Sequence, residues 1–350
     1  MGYLRYYIFA FFIGLVLISC HDNDNNKTEY QFDKGKGIFI SNEGVFSQAN
    51  ASVDFYNFDN DSIYNDIFYN TNKDKIGDVL QSICQDGDYS YLVVNNSGII
   101  HKVSTKDFVR SDTITGFTSP RKMIKINDSK AYVSDLYSGK IYIVSLTENK
   151  ISGEIQTGQW VENFASNGNK VYASCPTEYG KPESTKILVI DSNTDKITDS
   201  IAVGFNPMNL AIDKNGYLWT LCNGNSYSNI NGSIYKTDLN SLTNIDSLTF
   251  DSPLSNYNTS LQINSTEDTI YFLYNDVSKL SVNSSSMQPE KVVEKTAQNF
   301  YGMNIDDNRN NIYVTEAPFT GKGNVYIYSK SGILKKTLQA GYYPNSVVVY

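Results

Sequence analysis

Tyr172-Ala173-Ser174-Cys175, Ile187-Leu188-Val189-Ile190-Asp191, Lys196-Ile197-Thr198-Asp199-Ser200-Ile201-Ala202-Val203-Gly204 and Asn209-Leu210-Ala211-Ile212-Asp213 follow one another along the chain, and the next aromatic-led run, Leu218-Trp219-Thr220-Leu221, begins the pattern again. The runs are short, rich in β-branched and aromatic residues, and separated by polar turns such as Asp213-Lys214-Asn215-Gly216. Helical periodicity is absent from them, and short runs of this kind bounded by turn residues read as strands. Four such strands in each unit of roughly 40–50 residues form the pattern of a β-propeller blade.

The unit repeats over the whole chain. Taking Phe39, Tyr91, Tyr132, Tyr172, Trp219, Tyr271 and Tyr313 as anchors, the steps between them are 52, 41, 40, 47, 52 and 42 residues. The fold class is therefore all-β, a seven-bladed propeller over residues 36–350. A β-sandwich lacks so regular a four-strand unit, and the coils of a β-helix are shorter. The phase of the repeat also fixes how the ring closes. The first unit opens directly on its anchor strand, Gly37 to Asn42, whereas the chain ends on a surplus run, Asn345-Ser346-Val347-Val348-Val349-Tyr350. That last run is expected to become the innermost strand of the first blade, removing the open edges a linear array would expose.

Before the repeat, Arg5 precedes an apolar run from Tyr6 to Ile18 that is too short to span a bilayer and reads as the h-region of a secretory signal. It ends in Leu17-Ile18-Ser19-Cys20, which resembles the bacterial lipobox, so residues 1–19 are expected to be a signal peptide and Cys20 the lipidated first residue. Acyl chains hold a soluble domain on a membrane at roughly 0.8 kcal/mol per buried CH₂. Residues 20–35, beginning with His21-Asp22-Asn23-Asp24-Asn25-Asn26, are expected to form a flexible acidic tether.

The formal net charge is −8, with 27 tyrosines. A nucleic-acid binder needs a basic stripe to displace counterions, so nucleic acid is excluded as a partner. With Cys20 assigned to lipid, Cys84, Cys175 and Cys222 remain, an odd number without metal-type spacing that argues against a disulfide framework or a zinc site.

Tyr313-Val314-Thr315-Glu316, Tyr132-Val133-Ser134-Asp135, and the turns Gly204-Phe205-Asn206-Pro207 and Gly341-Tyr342-Tyr343-Pro344 resemble YVTN-type, YncE-like propeller repeats. Asn42-Glu43-Gly44 with Asn50-Ala51-Ser52, and Gly77-Asp78-Val79 before Val94-Asn95-Asn96-Ser97-Gly98, look like the subset found as Bacteroidetes surface lipoproteins, a group that includes a cobalamin-capture lipoprotein. The resemblance implies an outer-membrane, cell-surface location and capture of a ligand, a corrinoid such as vitamin B12 among the possibilities. It also implies transfer of that ligand to a TonB-dependent transporter.

Loops leaving the anchor strands and loops entering the innermost strands share one face of a propeller. On that face the sequence places Phe46, Arg121, Tyr137, Trp160, Tyr179, Phe205, Tyr227, Phe300, Phe319, Tyr342 and Tyr343 as candidate ligand-binding residues. Rigid rings with an Arg and amides give large contact area at low entropy cost; the alternative for each ring is that it fills the space between blades. Polar residues ending the anchor strands, Glu43, Asn96, Asp135, Asn223, Asp276 and Glu316, raise the alternative of a Ca²⁺ ring as in propeller lactonases, although such residues more often satisfy loop backbone. No metal or cofactor is assigned. His101 is the one histidine of the repeat region, on a strand away from the aromatic face, and motifs for catalytic triads or phosphate loops are missing, so a non-enzymatic binding role is expected. A protein- or glycan-binding scaffold is the competing expectation.

Overall fold

A computed structural model describes residues 30–252, 259–295, 299–318 and 320–350. Seven four-stranded antiparallel sheets follow one another around a ring. The fourth is typical: innermost strand Phe164–Asn167, anchor strand Lys170–Cys175, then Lys186–Asp191 and the outermost strand Lys196–Ala202. The residue types explain the order. The anchor strand KVYASC is buried from Val171 onward because both of its faces meet neighbouring blades, whereas KITDSIA buries only Ile201 and leaves its charged and hydroxyl side chains to solvent.

The core is divided among the junctions between blades. Each of seven apolar clusters draws on two adjacent blades; Tyr132 and Ile141 of the third, for example, meet Phe164, Val171 and Leu188 of the fourth. All seven anchors, from Phe39 to Tyr313, are at most 5% exposed. Several carry a polar tip that is satisfied in place: Trp219 Nε1 donates to Asp213 at 2.8 Å and the Tyr313 hydroxyl to Asp306 at 3.2 Å.

Ring closure follows the expected phase. Pro344–Val349 pairs antiparallel with Gly37–Asn42, Val347 opposite Ile40 and Val349 opposite Ile38. Val347 is buried and Val349 half-buried in the cluster that joins the seventh blade to the first. The Tyr350 N–H donates to Gly37 O at 3.0 Å, and the Gly341 N–H is held by both Asn42 Oδ1 and Asp54 Oδ2 at 3.0 Å. Gly302 marks how tightly the closing strand fits, since a Cβ there would stand 1.9 Å from the Asn345 carbonyl oxygen.

Two features depart from the sequence reading. A short helix, Ile67–Asn72, capped by Asp66, lies in the long connection between the first two blades and accounts for part of the first 52-residue step. Part of the stretch expected to be a flexible tether, residues 20–35, is docked on the propeller. Phe32 is 3% exposed against Phe39, Phe55 and Phe108, and its N–H donates to Lys106 O at 2.7 Å, because an aromatic side chain outweighs the acidic composition around it. Cys20 and the signal segment lie outside the described residues.

Each buried aliphatic side chain contributes about 1.5–3 kcal/mol, and a domain's whole stability is about 5–15 kcal/mol. Deleting residues 345–350 strips Val347 and the paired edge of Gly37–Asn42, and is expected to give insoluble protein or loss of a cooperative melt by circular dichroism. A deletion variant melting at the parent temperature would contradict the closed ring.

Candidate functional site

The innermost strands begin at the loop face, and there the ladder slips in five of the seven blades. Asn345, Gln81, Met208 and Tyr301 are each skipped by the pairing register, and in the third blade two residues, Arg121 and Lys122, stand opposite Ser134. A β-bulge breaks the strict alternation of faces and re-aims the extra side chain. All of these bulge residues line one cavity of about 670 Å³ in the central channel. Hydroxyls of neighbouring blades pin two of these segments and the start of the fourth blade's innermost strand: Ser82 Oγ donates to Arg121 O at 2.7 Å, Ser174 Oγ to Met208 O at 2.9 Å, and Ser134 Oγ to Glu162 O at 2.7 Å.

The channel holds charge in specific pairs. Arg121 forms a two-point bridge to Glu162, Nε to Oε2 at 2.7 Å and Nη2 to Oε1 at 3.0 Å, while Nη1 donates to Gln81 Oε1 at 2.5 Å. Their side chains are 19% and 8% exposed, so this pair is largely out of water. Across the channel Glu43 accepts from the Tyr301 hydroxyl at 2.9 Å and from Asn345 Nδ2 at 3.0 Å. Burial pushes the Glu43 carboxyl above its ordinary range in spite of those bonds, and pushes the Tyr301 hydroxyl up as well, with Glu43 adding to the effect.

Beside the channel mouth a groove of about 810 Å³ shares Arg121, Glu162 and Met208 with it. Trp160, Tyr179 and Tyr227 line the groove, together with Glu178, Glu183 and Asn225. Tyr179 is 96% and Tyr227 87% exposed. The Trp160 ring makes an edge-on contact with Tyr137, ring centres 5.1 Å apart, and its backbone N–H donates to Glu178 Oε1 at 3.2 Å.

Residues 36–350 match the model of a family described as Domain of unknown function (DUF5074). The chain belongs to the DUF5074 family. A comparison with curated proteins returns no match. Among solved structures, this DUF5074 chain is similar to a quinoprotein alcohol dehydrogenase-like protein from Bacteroides thetaiotaomicron, at 15% identity and TM-score 0.68 over 90% of this chain and 78% of that one. It is also similar to a putative 6-phosphogluconolactonase from Bacteroides fragilis, at 12% identity and TM-score 0.66 over 90% and 98% of the two chains. A periplasmic gluconolactonase from Pseudomonas aeruginosa matches at 11% identity and TM-score 0.66 over 89% and 98%. At such identities the likeness shows the propeller fold alone.

Of the residues expected on the face of this DUF5074 domain, Arg121, Trp160, Tyr179 and Tyr227 come together around the groove, and Phe46 and Tyr343 line the channel. Tyr137 joins them through Trp160. Phe205 and Tyr342 line neither cavity, and Phe319 lies outside the described residues. Phe300 is a correction: it is 2% exposed in the core between the sixth and seventh blades, with Met303, Val314 and Tyr326. The bulge explains the exchange, because Tyr301, the skipped residue, takes the channel position and leaves Phe300 facing inward.

Sequence reasoning missed Gln81, Lys122, Glu162, Tyr301 and Asn345. A signal existed for two of them, since Pro120-Arg121-Lys122 and Pro344-Asn345 begin innermost strands with a proline, which lacks a ladder donor and favours such irregularity. Two of the polar ends of the anchor strands, Asp135 and Glu316, satisfy local groups: Asp135 accepts from the Thr118 and Ser119 N–H groups at 3.1 and 2.7 Å, and Glu316 from Asn324 Nδ2 and the Tyr326 hydroxyl at 2.7 Å. Among the described residues no three His, Cys, Asp or Glu side chains converge as metal ligands would.

His101 is buried against Phe68 outside both cavities. Its Nε2 meets the Ile76 carbonyl at 2.9 Å and must carry the proton, so Nδ1 accepts from Thr113 at 2.8 Å. Burial lowers its pKa. Cys175 and Cys222 are free and buried, their thiols pushed up to about 12 by that burial.

Replacing Arg121 by Met leaves Glu162 without its partner in the channel wall and is expected to cost about 3–5 kcal/mol. Denaturant titration should show a lower midpoint, and the double variant Arg121→Met/Glu162→Leu should recover most of the loss. A single variant as stable as the parent would show that the pair is hydrated and contributes little.

Proposed function

We propose that this protein is a non-enzymatic receptor, anchored to the outer surface of the outer membrane through acyl chains on Cys20, that binds a small ligand on the propeller's loop face and passes it to a TonB-dependent transporter. The observation that carries the reading is the meeting of two cavities at Arg121 and Glu162: a groove walled by Trp160, Tyr179 and Tyr227, and a polar channel behind it. Ligand sites are concave, about 300–1,000 Å³, with rings supplying contact and a few fixed polar groups supplying orientation. The groove and the channel each fall in that range.

A corrinoid is the ligand class that the resemblance of the repeats favours. Its flat macrocycle suits the rings of the groove, and its amide rim suits the carboxylates, Glu178 and Glu183, beside them. The lipobox-like Leu17-Ile18-Ser19-Cys20 supports the anchor, and the net charge of −8 argues against nucleic acid as a competing ligand. A second reading, a scaffold that binds a glycan or another surface protein, draws on the 96% exposure of Tyr179, which stands out of the groove wall as a stacking platform does.

The chain has two tryptophans, and Trp219 is 1% exposed in the core while Trp160 lines the groove. In a Trp219→Phe variant, emission therefore reports the groove alone. Titration with cyanocobalamin is expected to quench it to saturation at one ligand per chain, with Tyr179→Ala weakening binding about tenfold or more, as for a central aromatic contact. No quenching would remove the corrinoid, and affinity unchanged by Tyr179→Ala would move the site off the groove.

A further inference from the structure

We propose that the ligand of the groove carries an oxyanion, a carboxylate, phosphate or sulfonate, and that the ammonium of Lys122 at the channel side of the junction receives it. The inference rests on the groove being the binding site and adds the chemical class of what it takes.

The argument begins with the bulge. In a regular strand Arg121 and Lys122 would face opposite sides, but with both residues opposite Ser134 both line the channel. Among the described residues every other charged side chain there has a hydrogen-bond partner. Arg121 uses three of its donor nitrogens on Glu162 and Gln81, which leaves that pair electrically neutral. Glu43 takes the Tyr301 hydroxyl and the Asn345 amide. The Lys122 backbone N–H donates to Ser134 Oγ at 3.0 Å, but its ammonium has neither a hydrogen bond nor an ion pair among the described residues. Glu162 and Glu43 act on it only through space.

An ammonium partly withdrawn from water without a partner is costly, and the half-burial of Lys122 lowers its pKa. Burial also drives Glu43 toward its neutral form, reducing the negative charge across the channel. What is left in the channel, among the described residues, is one ammonium without a hydrogen-bond partner, at the inner end of a funnel whose outer wall carries the groove's rings together with Glu178, Lys181 and Glu183. A ligand with a flat apolar body on Trp160 and Tyr179 places an acidic substituent past Arg121 and Glu162, where the two cavities join, and onto Lys122. Charge-assisted hydrogen bonds of this kind are roughly twice as strong as neutral ones.

Two dyes that brighten in apolar sites separate the contributions: 8-anilinonaphthalene-1-sulfonate, an aryl sulfonate, and N-phenyl-1-naphthylamine, its uncharged relative. With the full chain, the sulfonate is expected to bind at least tenfold more tightly than the neutral dye. Lys122→Met should abolish that preference without changing the neutral dye's affinity, and Lys122→Arg should restore it. Trp160→Ala should weaken both dyes. Lys122→Met should also melt at or above the parent temperature, since it removes an unpaired, half-buried charge, which separates loss of the anion from loss of folding. If Lys122→Met keeps the sulfonate preference, or the parent shows none while Trp160→Ala still weakens both dyes, the anion subsite is wrong and the groove stands. If neither dye binds the parent, or Trp160→Ala changes neither, the groove reading falls and the anion subsite falls with it.

Discussion

The pairing of Pro344–Val349 with Gly37–Asn42 is the constraint on which the rest of the structure depends. A strand with an unpaired edge is both unstable and adhesive, and a linear array of these sheets would expose one at each end. Closure brings the first and last strands of the repeat into one sheet and fixes the radius at which the seven innermost strands surround the channel. It also builds part of the candidate site. Glu43 follows the first blade's anchor strand, Tyr301 lies on the innermost strand of the seventh blade, and Asn345 lies on the closing strand, so their hydrogen-bonded set exists only in the closed ring.

Within that ring, the bulges convert a repeated scaffold into a particular binding surface. The same irregularity at the start of the innermost strand recurs in blade after blade, yet the residue it turns toward the channel differs: Asn345, Gln81, Arg121 with Lys122, Met208, Tyr301. The serines that pin these segments are buried in the blade interfaces and share their carbonyl acceptors' fixed geometry with the core. The channel side chains thus stand on strand segments tied to the buried blade interfaces, while the rings of Tyr179 and Tyr227 stand on loops that bring aromatic surface to them. Rigid polar groups behind an aromatic mouth combine orientation with contact area.

The blade pattern was legible because a propeller advertises itself through period: aromatic anchors at regular steps are the residues that fill the blade junctions, and all seven are buried. Closure was legible because it depends only on where the repeat starts and stops. The aromatic loop residues were partly legible, as Trp160, Tyr179 and Tyr227 are large apolar side chains in segments that cannot be strands. The channel residues were not. Alternation of faces assigns a strand residue by counting in twos, and a bulge shifts the count by one, which exchanges Phe300 with Tyr301 and brings Lys122 to the same side as Arg121. Phe32 was misread for a different reason: one aromatic ring in a polar leader carries little weight in composition but enough apolar area to dock.

The central claim is that the groove and the channel are one ligand site. Hydrogen exchange read by mass spectrometry on the full chain, with and without saturating 8-anilinonaphthalene-1-sulfonate, tests it most directly, because exchange reports protection segment by segment. The account expects slowed exchange in the bulged segment around Arg121 and Lys122, in residues 159–163 and in the loop from Thr177 to Glu183, with the outermost strands Arg110–Thr115 and Lys196–Ala202 unchanged. Protection confined to the outermost strands or to the turns of the opposite face, with none around residue 121, would contradict it.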